Sequence, residues 1–290
     1  MMKVEEKIRK LLSFYSVLGR PLTFLEIARL LPELRKTDIL EGLNGLVATG
    51  YSKEDGGFWG VNTNTNLRKQ TDFLLDQKWN KFLKYKKIFG FIPFIDFVFG
   101  TGSMALGNVH PDSDFDVLIG ARQDRIFTTR IFTILALNIF GIRRKRIDHK
   151  KSAKNKICLN HFVTPASYKL KEPYNIYWKE LYKNIVPVFG NRDKVQEFLD
   201  SNKWAGDLNL INDERLSGTK SIVAKLFEFV LGGFMGGIIE SFLGRLQISK
   251  INKHLEGSLG YKPRVIFDEN ELEFHLDTKR IETMLSKSGE

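Results

Sequence analysis

The sequence predicts an α/β protein in which strands and helices alternate in the middle of the chain and helices dominate on both sides. Apolar runs at 94–99, 115–120 and 157–163 have the length and composition of buried strands, and a helical pattern over about 124–140 separates the last two. A hydrophobic content of 42% across 290 residues suffices for a packed core in one large domain or in two to three smaller ones.

Three helical patterns and a hairpin pattern make up the first 64 residues. Thr23 and Glu26 form a capping box that marks the start of the second helix. The helices are predicted over about 4–17, 24–31 and 36–49, and the hairpin, centred on Asp-Gly-Gly, over 51–61. This order resembles the winged helix-turn-helix family.

The winged-helix resemblance implies a third helix that often binds DNA. Here that helix carries Asp38 and Glu41 against Lys36, and residues 1–64 hold nine basic and eight acidic side chains. Attraction to a phosphate backbone would therefore be weak. We expect this module to dock or scaffold, with a DNA-binding regulator as the alternative.

Basic charge is concentrated in two segments of a chain whose net charge is +11. Residues 65–90 hold seven basic and two acidic side chains, a net of +5, and residues 142–156 hold eight and one, a net of +7. Such patches favour a polyanionic partner, with nucleic acid reached through residues 142–156. Solvated faces of flexible lysines are the alternative.

Compartment and membrane contact follow from composition. The one cysteine, Cys158, excludes an internal disulfide and is predicted to lie in the core, and the N-terminus lacks the apolar stretch of a signal peptide, so we expect a cytoplasmic protein. Residues 229–239 are apolar but too few to span a bilayer. We expect a buried helix there and no membrane span, with membrane contact as the alternative.

The segment FGTGSMALGNVHPDSDFDVLIG, residues 99–120, carries the chemistry. Residues two apart in a strand share a face, so Asp114 and Asp116 project together from an otherwise apolar strand. Two adjacent carboxylates repel, and a hard cation such as Mg²⁺ compensates for that repulsion. Gly102 allows the backbone to approach a phosphate closely, and Ser103 adds a hydroxyl donor. The segment therefore predicts a site for a metal-bound nucleoside triphosphate.

The spacing Gly-Ser-x10-Asp-x-Asp in a strand–turn–helix–strand context resembles the DNA polymerase beta-like nucleotidyltransferase superfamily. The resemblance covers about residues 90–165 and implies a palm-like α/β core with a mixed sheet. It assigns Gly102 and Ser103 to the phosphates of an NTP, and Asp114 and Asp116 to one or two Mg²⁺ ions, with Mn²⁺ as the alternative. Arg130, on the following helix, is a further candidate for the triphosphate.

The family also implies a third carboxylate from a later strand, and at the matching position this chain has Asn160. An amide is neutral and a poor proton acceptor, so the departure questions turnover more than nucleotide binding. Asp148 is the alternative third acid. His110, His149, His254 and His275 show no metal-ligand spacing.

The expected function is Mg²⁺-dependent transfer of a nucleoside monophosphate from an NTP to an acceptor hydroxyl, with release of pyrophosphate. The alternatives are a nucleotide-binding pseudoenzyme and the DNA-binding regulator. The acceptor stays open among nucleic acid, a small molecule and a protein hydroxyl. The predicted domains are a winged helix at 1–64, a basic linker helix at 65–89, the nucleotidyltransferase core at 90–168 and a mostly helical region with a terminal hairpin at 169–290.

Overall fold

The structure is a computed structural model that describes residues 2–145, 153–206, 213–256, 264–275 and 279–288. The chain divides into two compact units. The first comprises Met1–Asp76, Gly107–His110 and Lys279–Glu290, and the second comprises Gln77–Leu106 and Pro111–Thr278.

The first unit is helical with one small sheet. Its elements are α1 (Met2–Val17), β1 (Leu22–Thr23), α2 (Phe24–Leu30), α3 (Lys36–Ala48), β2 (Lys53–Asp55), β3 (Phe58–Gly60), the first part of α4 (Thr65–Tyr85) and α11 (Lys279–Ser288). The strands are antiparallel in the order β1-β3-β2. The predicted helices and hairpin lie close to their predicted bounds, and Thr23 and Glu26 form the expected capping box.

Four charged side chains form a partly buried ion-pair network in this unit. Glu26 accepts hydrogen bonds from Arg68 at 2.7 Å and from Arg20 at 3.0 Å, and both arginines also pair with Asp72. Burial alone would raise the pKa of Glu26, but hydrogen bonds from Arg68 and the Thr23 backbone, with the two positive charges, lower it to about 2. The ionised form of Glu26 therefore stabilises the first unit.

Glu26→Gln should weaken the first unit at neutral pH. The folded pKa of about 2 lies below the ordinary value of 4.5, so the contribution is complete above pH 4.5 and disappears as the pH falls through 2. We expect a loss on the order of 2 kcal/mol in the free energy of unfolding at pH 7, which shrinks towards zero near pH 2. Urea unfolding at both pH values measures it. Glu33→Gln, at the exposed pair with Lys7, is the matched control, and an equal loss in both variants would contradict the prediction.

The second unit is built on a six-stranded mixed sheet with helices. The strands are β4 (Ile95–Gly100), β5 (Phe115–Ala121), β6 (Ile157–Val163), β7 (Val186–Gly190), β8 (Arg264–Phe267) and β9 (Glu271–His275), in the order β7-β4-β5-β6-β9-β8. The helices are α5 (Gly102–Leu106), α6 (Ile126–Ile139), α7 (Ile176–Lys183), α8 (Arg192–Ser201), α9 (Ile222–Leu231) and α10 (Phe234–Glu256). β5 and β6 run parallel and the other pairs are antiparallel, so the predicted mixed α/β class is confirmed.

The region after residue 168 contributes more to this sheet than its predicted helical character suggests. β7, in a stretch predicted to be helical, pairs with β4 and forms one edge of the sheet. The predicted terminal hairpin is present as β8 and β9, and β9 pairs with β6. A five-residue strand that contains Pro187 gives little periodic signal, and proline is tolerated at a sheet edge. Only the pairing with β4 reveals it.

The apolar segment at 229–239 is not the buried helix that its composition suggested. It covers the end of α9 and the start of α10, where Phe229 is 86% and Phe234 83% exposed. The expectation of burial is therefore wrong. In the described part of the chain, no single helix has the length and apolar character to cross a membrane, whereas α9 and α10 together meet that test but are bent by 92°.

Candidate functional site

The two aspartates stand at the start of β5, in the middle of the six-stranded sheet. Asp114 immediately precedes the strand and Asp116 is its second residue, while Phe115 between them is fully buried on the other face. The Thr101 amide donates to the Asp116 carbonyl at 2.9 Å, which ties the turn after β4 to β5. Because the central strands fix the backbone on both sides, the carboxylates have a defined position.

Gly102 lies directly against the Asp116 carboxylate. Its φ is +64°, a backbone conformation that residues with a side chain rarely adopt. A Cβ there would lie 2.0 Å from Asp116 Oδ2. Any other residue would both strain this turn and displace the carboxylate. Ser103 follows as the second residue of the short helix α5. The Gly-Ser turn and the aspartate strand thus meet in space, as the sequence spacing predicted.

Asn160 faces Asp116 across the parallel pair of strands. Its side-chain amide nitrogen donates to Asp116 Oδ1, and its amide oxygen accepts a hydrogen bond from the Cys158 thiol at 2.7 Å. Cys158 is the direct strand partner of Asp116. The thiol therefore fixes the orientation in which the Asn160 amide points its NH₂ group at the carboxylate. The structure thus brings Asp114, Asp116 and Asn160 together.

The sequence predicted that Cys158 lies in the apolar core. In the structure it lies instead in the polar cluster around Asp116. Burial, reinforced by the charges of Asp116 and Asp114, raises the pKa of its thiol well above the ordinary value. The group is consequently a neutral hydrogen-bond donor at physiological pH. In the described geometry the Cys158 sulfur donates to Asn160 and accepts from the Arg144 guanidinium at 3.8 Å.

The carboxylate pair is only partly compensated. Burial of the side chain, followed by the charge of Asp114, raises the pKa of Asp116 to about 7, although the Asn160 hydrogen bond and the Arg144 charge oppose that rise. Arg144 forms an ion pair with Asp114, and both side chains are mostly buried. An extra cation at this point would favour the ionised form of Asp116.

Lys78 is a site residue that the sequence did not single out, whereas Arg144 belongs to a segment that the sequence did predict to attract a polyanion. Arg144 lies in the basic segment 142–156, whose positive charge was the available signal. Lys78, on α4, is buried and donates to the carbonyl of Ser113 at 2.7 Å and to the side chain of Asn155 at 3.2 Å. Burial lowers the pKa of Lys78. It connects the loop before Asp114 to the segment before β6. Nothing in the sequence distinguished Lys78 from the other basic residues of this helix, so the contact was not predictable.

The two aspartates fit a hard divalent cation. Oxygen atoms of Asp114 and Asp116 and the sulfur of Cys158 all lie within 4.8 Å of one another. Carboxylate oxygens are the ligands that Mg²⁺ prefers, whereas a neutral thiol is a poor ligand for it. Burial is the main cause of the raised pKa of Asp116, and the Asp114 charge adds to it, while the Arg144 charge opposes it. Asp114 and Asp116 are therefore the residues that would hold the metal, with Cys158 outside the ligand set.

Arg130 has other partners in the structure. Its guanidinium donates to Gln247 of α10 at 2.6 Å and lies over the ring of Phe274 in β9 at 5.1 Å. Burial and the neighbouring Arg143 lower its pKa to about 10. These contacts connect α6 to α10 and to the sheet, and the described geometry gives no contact with the aspartates. Asp148, the alternative third acid, lies outside the described residues.

A second group of titratable side chains lies between β6 and β9. Nitrogen atoms of His161 and His275 and an oxygen of Glu273 come within 4.8 Å of one another, a proximity that the sequence spacing did not reveal. Here the acids already have counter-charges, because Arg264 donates to Glu273 at 2.8 Å and Lys171 pairs with Glu271 at 2.9 Å. His161 in turn contacts Glu271 at 3.0 Å. We interpret this group as an ion-pair network that joins the terminal hairpin to the sheet.

Comparison with known proteins gives no relative for this chain. No family model, no curated protein and no solved structure matches it.

Proposed function

We propose that this protein is a Mg²⁺-dependent nucleotidyltransferase that transfers a nucleoside monophosphate from an NTP to an acceptor hydroxyl. One observation carries the proposal: the carboxylates of Asp114 and Asp116 lie together against the positive-φ turn at Gly102. Arg144 offsets the charge of Asp114, but Asp116 has no ion-pair partner of its own among the described residues, and a buried carboxylate without one is costly. A metal-bound triphosphate supplies both the cation and a group that fits a glycine turn.

Each residue has a defined part in the proposed reaction. Asp114 and Asp116 hold the metal, and the backbone at Gly102 and the hydroxyl of Ser103 orient the terminal phosphates. Bound Mg²⁺ would neutralise the triphosphate and stabilise the charge that develops as pyrophosphate leaves. The acceptor oxygen forms a bond to the α-phosphorus, the bond from the α-phosphorus to the bridging oxygen breaks, and the hydroxyl proton passes to solvent. Arg144, which pairs with Asp114, is the cation that we assign to the phosphates.

We further infer that the first unit is a winged helix-turn-helix module. The support is its element order, α1-β1-α2-α3-β2-β3, with a three-stranded antiparallel sheet. Asp38 of α3 pairs with Arg35 at 2.8 Å. The other charged residues of the helix are Lys36 and Glu41, so the helix presents no net positive charge. A docking or scaffolding role fits this surface better than DNA binding.

A second candidate function is nucleotide binding without turnover. The observation that favours it is Asn160, which occupies the neighbouring position to Asp116 and is neutral. No third carboxylate contacts the aspartates in the part of the chain that the structure describes. A proton acceptor for the attacking hydroxyl would then be missing, and general-base assistance contributes about 10²–10⁴ in rate. This candidate shares the metal and nucleotide sites of the first.

Two measurements separate these candidates. Calorimetric titration of the full chain with each of four NTPs, with and without Mg²⁺, tests binding, and pyrophosphate release in the presence of RNA, small-molecule and protein acceptors tests transfer. Mg²⁺-dependent binding with pyrophosphate release supports the transferase, and binding without release supports the second candidate. If no NTP binds in the presence of Mg²⁺ or Mn²⁺, both proposals fail.

Arg144→Gln should make the site more dependent on added metal. The change removes the positive charge that pairs with Asp114, so repulsion between the two carboxylates increases. We expect the metal-free variant to lose about 1 kcal/mol of stability at pH 8 and to gain more from Mg²⁺ than the wild type does. Thermal unfolding with and without Mg²⁺ measures both effects. Lys145→Gln, at the exposed neighbouring position, is the control, and identical Mg²⁺ responses in the two variants would exclude a metal at Asp114.

A further inference from the structure

The helices α9 and α10 present an unusually apolar surface to solvent. More than half of the large apolar side chains that are exposed in the described part of the chain belong to these two helices. Ile222 is 85% exposed, and Ala224 is the single buried residue of α9. We call this surface the α9–α10 face, and its principal members are Ile222, Phe229, Phe234, Met235, Ile238 and Phe242. Such a concentration of exposed large apolar side chains on two consecutive helices indicates a binding site for something apolar.

The carboxylates of Glu228 and Glu240 bond to the body of the second unit. Glu228 accepts hydrogen bonds from the Phe94 amide at 2.7 Å and from Arg122 at 2.8 Å. Glu240 accepts from the amides of Phe127 and Thr128, at the start of α6, at 2.7 and 2.8 Å. The carboxylates therefore fasten the helices to the sheet domain, an arrangement inverted relative to an ordinary amphipathic surface helix.

The corner between α9 and α10 is held in the same way. Arg125 donates to the carbonyls of Leu231 at 3.1 Å, Gly232 at 2.9 Å and Gly233 at 3.3 Å. These bonds satisfy carbonyls at the end of α9 that the helix itself leaves free. The helices meet at 92°. Since polar contacts from the body fix this bend, the outward apolar side chains are not needed to hold the corner.

The exposed charges that α9 and α10 themselves carry, up to residue 253, all have one sign. Between residues 220 and 253 the only acidic residues are Glu228 and Glu240, and both are engaged inwardly. The exposed charged side chains of the two helices over the same range are Lys225, Arg245, Lys250 and Lys253. An apolar face bordered by lysine and arginine is the pattern of helices that lie in the interface of a membrane with anionic lipids.

We propose that the α9–α10 face binds the surface of a bilayer that contains anionic lipid. The apolar side chains enter the boundary between headgroups and acyl chains, and the basic side chains contact the headgroups. The two helices lie along the membrane plane, because a pair bent by 92° does not form a straight span. A second copy of the chain fits the face less well, since the exposed charges of the two helices up to residue 253 are basic in both copies.

Flotation with lipid vesicles tests the proposal on the full chain. Vesicles of phosphatidylcholine alone are compared with vesicles that contain about one third phosphatidylserine. We expect the protein to float with the anionic vesicles, and much less with the neutral ones. Phe229→Glu with Phe234→Glu should reduce binding at least tenfold, on the order expected from losing two large apolar contacts and adding two repelled charges. Phe73→Glu, at a 67% exposed phenylalanine of the first unit, is the matched control and should bind as the wild type does.

The basic border is tested separately. Lys225→Glu with Arg245→Glu should weaken binding to anionic vesicles by about fivefold or more for each charge and reduce its dependence on salt. Thermal unfolding confirms that each variant remains folded, which is expected because all four positions are exposed. The proposal is overturned if the wild type floats with neither vesicle type, or if the paired phenylalanine variant binds as tightly as the control. Sedimentation that shows a wild-type dimer, converted to monomer by the phenylalanine variants, would assign the face to a second copy instead.

Discussion

Asp114→Asn and Asp116→Asn should each abolish Mg²⁺-dependent nucleotide binding while the fold survives. Each variant removes one of the two carboxylates that converge at the start of β5. Changes to residues that only support a metal ligand cost about 10–100-fold in affinity, so loss of a ligand itself should cost at least about 100-fold. Calorimetric titration of Mg²⁺-NTP into each variant measures the loss. Asp112→Asn, at an exposed position in the same loop, should bind as the wild type does.

The same Asp116 variant should be more stable than the wild type when no metal is present. Burial and Asp114 raise the folded-state pKa of Asp116 to about 7, above its ordinary value of 3.8. Folding then favours the protonated form, so the wild type loses stability as the pH rises from about 4 to 7. The amide of the Asp116→Asn variant cannot ionise, and after discounting for partial exposure we expect a gain of about 2 kcal/mol at pH 8 that vanishes near pH 4. Urea unfolding without metal at both pH values measures it.

The two readouts together distinguish a metal site from a structural cluster. A gain in metal-free stability with loss of Mg²⁺-NTP binding is expected from a site that retains repulsion in order to hold a cation. Unchanged Mg²⁺-NTP affinity in both asparagine variants would remove Asp114 and Asp116 from the site. A loss of metal-free stability at pH 8 would instead show that the ionised Asp116 contributes to the fold.

Asn160→Asp is expected to convert a slow or inactive protein into a faster transferase. The amide of Asn160 already contacts the Asp116 carboxylate, so an aspartate there places a third negative charge beside the pair. That carboxylate binds metal more tightly and accepts the proton of an attacking hydroxyl, which is worth about 10²–10⁴ in rate. Pyrophosphate release with a competent acceptor measures the gain. Asn160→Ala, which removes the amide without adding charge, should give no gain.

The new carboxylate also has a cost without metal. A third acid next to Asp116 and Asp114 adds repulsion that Arg144 does not offset, so Asn160→Asp should lower metal-free stability at pH 8 and increase the stabilisation by Mg²⁺. If the variant is no faster and Mg²⁺ does not restore its stability, the site already has its third acid elsewhere. Asp148, the alternative third acid, would then be that residue, and Asp148→Asn should abolish transfer.

Local patterns were sufficient to predict most of the elements. The capping box at Thr23 is formed, and the three helices of the first unit, the strand with the aspartates and the terminal hairpin all lie near their predicted positions. In each case the signal was short-range, either a periodicity of apolar residues or a cap or turn residue at a fixed offset. The strand β7 gave no such signal, because five residues that include a proline are too few to show a periodicity. The segment forms a strand through its pairing with β4.

The sequence predicted the part of the site that lies in one continuous segment, but not the partners of that segment. Asp114 and Asp116 share a face because they are two residues apart, and Gly102 and Ser103 precede them in one continuous segment, so their proximity followed from sequence. The partners of that segment come from distant positions. Lys78, on α4, precedes the segment in the chain and contacts its loop, whereas Arg144 and Cys158 follow α6 in the chain. No spacing rule connects residues whose contact depends on strand pairing and on the packing of helices.

The sequence by itself determined the mixed α/β class, the start and end of most elements, and the grouping of a glycine turn with two aspartates. Tertiary structure decided which charges are compensated and which apolar residues are covered. The pKa of Asp116 is raised to about 7 by burial and by the charge of Asp114. The large side chains of Phe229 and Phe234 are exposed, while the carboxylates of Glu228 and Glu240 bond to the body of the second unit. Composition reports how apolar a segment is, but the direction it faces depends on where its few carboxylates find partners. Except for Lys220, which also pairs with Glu228, those partners lie more than a hundred residues away in the sequence.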